Sequence, residues 1–450
     1  YVKKGCGGSS SRDHISNIPY DVLYMILYLL PLKELVATSS LSTQWRYIWC
    51  KLAKLVFDGT EMLGNMAKDP KSRASDREKY VAMVNNVIEN HDYPVILEFG
   101  IHFDLDNKYE EHIDEWLRFA VKKKVQILEL DMTKIGRKVG CHENYSFPRM
   151  LSDPEEEEPI EYAWLNTVRI PFLKKLILKS VDICDGVLPQ ILDNSPNLET
   201  LSLHGVGKLS WVQFGGKGGI RLKHIEIVSC LSVTFVHLFR FDLESFVYKG
   251  RAKTVRLISL PLQALDIGNG LAWMENRNFR KLRDSLPFIQ VFSINIIFPK
   301  KSMELGIVPE LPNVKKLRLT IEACRDECLL EFTKLAKACP SLETLTIELR
   351  WDSRMKMRWD SVRRVASTPH DQLKTFEIVG YYGRISDFEL VVHIIENAAR
   401  LEKILIDTRH HSEKGTTAVK KEEAERSFAM RRRQQLESIT LRDGVDLVIL

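Results

Sequence analysis

The sequence predicts an α/β fold in which three short N-terminal helices precede a long parallel sheet that grows by repetition. Three observations carry this expectation. A pattern with apolar residues at its first, fourth and sixth positions recurs down most of the chain, as in "LETLSL", "LETLTI" and "LEKILI". The stretch 13–50, "DHISNIPYDVLYMILYLLPLKELVATSSLSTQWRYIWC", is more apolar than so short a segment needs if it folds alone. The length, 450 residues, exceeds what one compact core organises, which calls for several units or an array.

Composition narrows the class. The chain is 44% apolar and 28% charged, ordinary for a globular protein. Its net charge of +5 is too small to point to nucleic acid, which is not an expected partner. The Cys 8 of the composition are scattered without a CxxC pair, so they read as reduced thiols of a cytoplasmic or nuclear chain. No apolar run approaches the roughly 18 residues that span a bilayer, and no membrane partner is expected.

The N-terminal elements come first. Asp13 and Ser16 are good helix starters, and Pro19 suits a first helical turn. Leu23, Ile26, Leu27 and Leu30 then recur at helical spacing. Pro31 stops this helix, because proline cannot continue the hydrogen-bond ladder. A second helix is expected from about Leu32 to Thr38, and a third carries Leu41, Trp45, Ile48 and Trp49. Three such helices leave apolar surface that must dock on something.

These residues resemble an F-box. The resemblance rests on Ile18-Pro19, Leu23 with Ile26-Leu27, Leu30-Pro31, Leu41-Ser42, Trp45-Arg46 and Trp49, followed by the tail Leu55-Val56-Phe57-Asp58. It implies docking on a Skp-type adaptor and, through it, on a cullin. The adaptor-binding residues it implies are Ile18, Pro19, Leu23, Ile26, Leu27, Leu30, Pro31, Leu41, Trp45 and Trp49.

Beyond a polar stretch read as a linker (59–78), a helix is expected at 79–90, then the strand "PVILEFGIHFD". In "EEHIDEWLRFAVKK", Ile113, Trp116, Leu117 and Ala120 share one helical face. The recurring motif has its first apolar residue at 173, 198, 222, 243, 262, 289, 314, 342, 373 and 401. "VQILELD" at 125–131 is an earlier copy, and "QLESITL" at 435–441 is expected as a late one. Spacings of 19 to 31 residues mark a leucine-rich repeat, here of an irregular type. Each return segment supplies the crossover that a parallel strand pair requires.

From 370 onward, Leu373-Lys374, Gly380-Tyr381, Gly383, the helix 389–397 and Leu401-Glu402 resemble the FBD domain that closes many plant F-box and leucine-rich-repeat proteins. The domain order expected is F-box 13–58, linker and first helix 59–94, repeats 95–365, and FBD domain with C-terminal cap 366–450.

Side chains alternate along a strand, so residues between the core leucines line an outer face, which in a solenoid usually binds partners. The candidate substrate-binding residues are Lys175, Ile177, Lys179, His204, His224, Val228, Val247, Lys316 and Arg318. Among them Ile177, Val228 and Val247 are expected to be exposed apolar residues set among Lys and His.

Other motifs have plainer readings. "RWDSRMKMRWDSVRR" spaces Arg350, Arg354 and Arg358 at i, i+4, i+8 beside Trp351, Met355, Trp359 and Val362, and reads as a helix with its aromatics buried and its arginines solvated. "FGGKGGI" supplies turn glycines and lacks phosphate-loop spacing. Cys324 and Cys328 share a helical face without the partners that complete a zinc set. No catalytic residue, metal or cofactor is expected. Together the resemblances imply a non-catalytic substrate receptor of an SCF ubiquitin ligase, whose repeat face recruits a protein substrate. The alternatives are a receptor that binds a small molecule on the repeat face, or a scaffold outside any ligase.

Overall fold

The computed structural model describes residues 52–69, 71–133, 144–147, 169–216, 219–251, 254–268, 285–297, 308–323, 329–351, 369–408 and 444–450, with single residues at 18, 19, 22, 30, 34, 434 and 436. The chain divides into two units, Tyr1–Leu209 and Ser210–Leu450.

In the first unit the elements run β1 (Lys54–Asp58), α1 (Thr60–Lys68), α2 (Arg73–Asn90), β2 (Glu98–His102), α3 (Glu110–Lys122), β3 (Ile127–Asp131), β4 (Ser146–Phe147), β5 (Lys175–Lys179), β6 (Asp182–Ile183), α4 (Val187–Asn194) and β7 (Thr200–His204). Strands β1, β2, β3, β5 and β7 pair in parallel and in step, Lys54 opposite Glu98, Glu98 opposite Ile127, Ile127 opposite Lys175, and Lys175 opposite Thr200. The second and fourth residue of each five-residue strand point inward: Leu55 and Phe57, Phe99 and Ile101, Leu128 and Leu130, Leu176 and Leu178, Leu201 and Leu203, all buried. Helices close the other side of this core. Ile113, Trp116, Leu117 and Ala120 are buried as their spacing required, and the Trp116 indole donates to Asn85 Oδ1 at 2.7 Å. The Tyr80 ring stacks on Phe103 with centroids 4.1 Å apart.

Two expectations change here. Residues 59–78 are not a linker, since α1 and the first turns of α2 lie within them. The stretch looks polar because its helices turn charged residues such as Glu61, Lys68 and Glu78 outward, and because one of its inward residues is charged too. Arg77 is buried and held by Asp104 and Asp106 at 2.6 and 2.8 Å, so its charge is neutralised without an apolar side chain. The sheet also begins at β1, inside the segment assigned to the F-box, and not at residue 95.

The second unit runs β8 (Trp211–Gly215), β9 (His224–Val228), β10 (Phe235–Phe239), β11 (Ser245–Lys249), β12 (Thr254–Ile258), β13 (Ala264–Ile267), β14 (Val291–Ile297), β15 (Lys316–Ala323), α5 (Thr333–Lys337), β16 (Thr344–Trp351), β17 (Thr375–Val379), α6 (Ile385–Asn397), β18 (Lys403–Asp407) and β19 (Asp446–Ile449). From β9 through β11 and β13 to β19 the strands form one parallel sheet, again in step. Strand β16, before the boundary expected at residue 366, pairs in step with β17, after it. A separate parallel sheet is ordered β12–β10–β8.

The ten recurring motifs from 173 to 401 each carry a strand of the main pairing. Of the late copy expected at 435–441 only Leu436 is among the described residues, where it is helical and buried; the strand that pairs with β18 is β19, after Gly444 at φ 91°. Arg350 belongs to strand β16 and not to a helix. Arg354, Met355, Arg358, Trp359 and Val362 lie outside the described residues, as do Cys324 and Cys328.

Strand ends share one turn. Ser180 after β5, Gly205 after β7, Ser229 after β9 and Gly380 after β17 all adopt positive φ. There the amide stays on the ladder: Ser180 N–H donates to His204 O at 2.8 Å, Ser229 N–H to Lys249 O at 2.7 Å, and Gly380 N–H to Asp407 O at 2.9 Å.

Candidate functional site

Because the strands pair in step, their outward residues line up in rows. In the first unit the last residues of the five strands form the row Asp58, His102, Asp131, Lys179, His204. The row beside it is Val56, Gly100, Glu129, Ile177, Ser202. Glu129 is the hub of a charge cluster. Its carboxylate lies 3.4 Å from His102 Nε2 and accepts from Lys179 Nζ at 2.8 Å, while Lys179 also reaches Asp131 at 3.1 Å.

The electrostatics follow from this geometry. The His102 imidazole, then the Lys179 ammonium, outweigh burial and hold the Glu129 carboxyl at about 2, against 4.5 ordinarily. The carboxylate of Glu129 in turn raises His102 above its usual value. Burial works against the Lys179 charge, yet its bonds to Glu129 and Asp131 prevail and its pKa is raised. Next to the cluster, Ser202 Oγ and His204 Nε2 share a hydrogen bond of 2.8 Å.

In the second unit the cluster centres on Glu348. It accepts from Arg350 Nε at 2.9 Å and from Thr320 Oγ1 at 3.4 Å. Arg350 also pairs with it through a terminal nitrogen at 2.8 Å, and Arg318 approaches to 3.7 Å. Arg350 reaches Glu322 at 3.5 Å, and Thr346 donates to Glu377 at 3.0 Å. Across β11 and β13, Lys249 pairs with Asp266 at 3.0 Å.

The candidate residues take their expected outward positions, with differences in degree. Lys316, Arg318 and His224 are exposed. Lys175, Lys179 and His204 are half-buried. Ile177, Val228 and Val247 are half-buried and not exposed, because neighbours in step cover them: Glu129 and Ser202 flank Ile177, and Glu226 and Asp266 flank Val247. Val291, an outward apolar residue of β14, is exposed, at 39%. Ser202 and Glu348, which alternation also places outward, are only 5% and 7% exposed. Lys175, Ile177, Lys179 and His204 are brought together on β5 and β7. In the second unit His224, Val228 and Val247 sit on β9 and β11, whereas Lys316 and Arg318 sit on β15, with β13 and β14 between.

Sequence reasoning passed over His102, Glu129 and Asp131, although the strand motif "ILELD" marks Glu129 and Asp131 as outward by the same alternation. It also missed the second sheet, whose signal was the alternation in "WVQFG", "FVHLF" and "TVRLI".

Of the adaptor-binding candidates, Ile18 and Leu30 are half-buried and Pro19 is exposed. Leu23, Ile26, Leu27, Pro31, Leu41, Trp45 and Trp49 lie outside the described residues. Neighbouring Val22 is helical and 46% exposed. Leu55 and Phe57, read as the F-box tail, are core residues of β1. Among the described residues no group of three or more His, Cys, Asp or Glu is arranged to hold a metal ion, and no helix is long and apolar enough to cross a membrane. Both faces offer hydrogen-bonding and charged groups on a rigid strand frame, an arrangement suited to gripping a partner.

The model of the At1g61320/AtMIF1 LRR domain matches residues 87–441, and the F-box domain model matches residues 15–57. The F-box/LRR-repeat protein At3g58900 of Arabidopsis thaliana is 26% identical over 245 residues, 52% of this chain and 72% of that protein. The F-box/FBD/LRR-repeat protein At3g26920 of the same plant is 23% identical over 430 residues, 89% and 91% of the two chains. The putative F-box/FBD/LRR-repeat protein At5g62970, also from Arabidopsis thaliana, is 25% identical over 425 residues, 87% and 92%.

Proposed function

Since the chain belongs to the At1g61320/AtMIF1 leucine-rich-repeat family and carries an F-box ahead of its repeats, we propose that it is the substrate-recognition subunit of a Skp–cullin–F-box ubiquitin ligase. The observation that carries this reading is the junction at residues 54–57, where the F-box match runs into the first strand of the sheet. An adaptor-docking module joined to the repeat frame with no spacer would hold whatever the frame grips at a fixed distance from the ligase. Proximity is then the whole contribution: a bound protein is presented to the transfer enzyme at high effective concentration, and this chain does no covalent chemistry.

The adaptor interface would bury on the order of 1,600 Å² in total, with its energy concentrated in a few residues such as Pro19, Leu30-Pro31 and Trp45. The exposure of Pro19 and Val22 supports an apolar face turned outward. The outward rows of the repeats would hold the substrate, through Lys175, Lys179, His204, Lys316 and Arg318 among others. The C-terminal residues 366–450 would be the FBD-type closure, a reading supported by relatives of that name aligned over about nine-tenths of both chains. Such a ligase subunit would work in the cytoplasm, the nucleus or both.

The test is co-expression with a plant Skp adaptor, comparing the parent chain with a Leu30→Ala, Pro31→Ala, Trp45→Ala variant by size exclusion. A 1:1 complex for the parent, and a folded but unbound variant, is the expected result. A parent chain that binds no adaptor would remove the ligase reading.

A further inference from the structure

We propose that the outward face of the β8–β10–β12 sheet is a second docking surface, built to take an acidic segment of a partner protein that carries apolar side chains. The inward side of this sheet already supplies its core: Val212, Phe214, Val236, Leu238, Val255 and Leu257 are buried. The core of the sheet thus does not draw on the outward positions, where polar residues are the ordinary choice. Instead, rings run down the central strand. Phe235 and His237 have centroids 5.9 Å apart, and His237 and Phe239 4.9 Å apart. Trp211, 37% exposed, stands in step with Phe235, while exposed Gln213 and Arg256 stand in step with His237 on either side. Trp, Phe and Arg grouped on an outward surface is the composition of protein-interface anchors.

Charge selects the partner. The three strands, "WVQFG", "FVHLF" and "TVRLI", contain no Asp or Glu, and Arg256 is the fixed charge on the face. Burial, and then Arg256, lowers the pKa of His237, so at neutral pH its ring is uncharged and serves as an apolar surface. Exposed Arg240 and Arg251 stand in the turns after β10 and before β12. Of the acids that follow β10 in sequence, Asp242 is exposed beyond Arg240 and Glu244 is taken up by Lys223 at 3.0 Å. A surface of rings edged by guanidinium groups favours carboxylates set between apolar side chains.

The same chemistry raises the question of single-stranded nucleic acid, which stacks its bases on aromatic side chains. Ring posture favours protein. Phe235 is turned 75° to His237, and His237 is tilted 36° to Phe239. The three are half-buried against one another, so they present edges and clefts in place of open faces. Glycines fix this posture. At Gly215, φ 137°, a Cβ would fall 1.9 Å from Phe239 O, and at Gly216 it would meet the Phe239 ring at 2.7 Å. Only bare backbone lets β8 lie this close under Phe239.

The experiment is a peptide-display selection on the full chain, followed by binding of the enriched synthetic peptides to the parent, Arg256→Lys, Arg256→Glu and Trp211→Ala. The expected outcome is enrichment of acidic peptides with aromatic or aliphatic residues, weakened about tenfold or more by Arg256→Glu and Trp211→Ala and retained by Arg256→Lys. Complex formation with the Skp adaptor should be unchanged in all four. Arg256 is exposed, so its variants report even where Trp211→Ala fails to fold. No enrichment, enrichment of basic peptides, or binding indifferent to Arg256→Glu would overturn the proposal. So would tighter binding of a fluorescent 12-mer oligouridylate that Arg256→Glu abolishes while acidic peptides fail to bind.

Discussion

Single residues in this protein do work that their neighbours in sequence hide. Arg77 is the clearest case, a buried guanidinium in a stretch that reads as a linker. Replacing it by Ala removes the guanidinium that pairs with the buried carboxylates of Asp104 and Asp106, with an expected cost of about 3–5 kcal/mol in the unfolding free energy measured by urea titration. Glu129 gives a pH signature. Its folded pKa is about 2 against 4.5, so its contribution is complete above pH 4.5 and is lost as the pH falls toward 2. His102 is shifted upward from 6.5, so its contribution is complete below pH 6.5 and is lost as the pH rises through the raised value. The pair therefore stabilises the fold most between these two limits. Glu129→Gln should flatten the melting temperature against pH on both sides of that window, with a loss at pH 5.5 of about 1 kcal/mol for groups partly screened by solvent. An unchanged profile would show that the cluster is not what titrates.

At the scale of elements, the turn that closes strands such as β5, β7, β9 and β17 explains how residues that are not glycine can sit where glycine is preferred. Ser180 and Ser229 accept positive φ because the amide at that point is held by the next strand. Ser229→Gly should raise stability by several tenths of a kcal/mol by relieving backbone strain, or leave it unchanged. Gly380→Ala should do the reverse by well over 1 kcal/mol, because its Cβ would meet Leu349 O at 2.4 Å in addition to the strain at φ 77°. Thermal melts of the two variants separate these cases. Strands of this kind were legible in the sequence because one inward pattern repeats, as Leu201-Leu203 and Leu345-Ile347 show. The second sheet was not, since Val212, Phe214, Val236 and Leu238 follow a two-residue alternation too short to stand out between longer copies. The charge clusters were half legible. Alternation places Glu129, Lys179, Arg318 and Glu348 outward, but which carboxylate meets which cation depends on strand register, and no single strand carries that information. The F-box was legible through its prolines and tryptophans, set around the helical spacing of Leu23, Ile26, Leu27 and Leu30.

For each unit as a whole, stability is a chain of neighbour-to-neighbour terms. A strand such as β15 pairs with β14 on one side and β16 on the other, so damage should stay local. Leu319→Ala, which removes a buried side chain, should cost about 2–4 kcal/mol. Hydrogen–deuterium exchange should then rise in β14, β15 and β16 well before it rises in β18. Uniform acceleration across the sheet would show a single cooperative core in place of an array.

The in-step pairing has a consequence for how such a chain can diverge. Every strand meets its neighbour residue for residue, so inward and outward positions amount to two texts written on the same letters and read separately. A codon for an exposed outward residue such as Lys316 or Arg318 can change without altering the inward core, and an insertion in a return loop shifts no row. Recognition can therefore drift quickly on a frame that holds still, and a duplicated copy of this chain needs only a few substitutions along one row to acquire a different clientele.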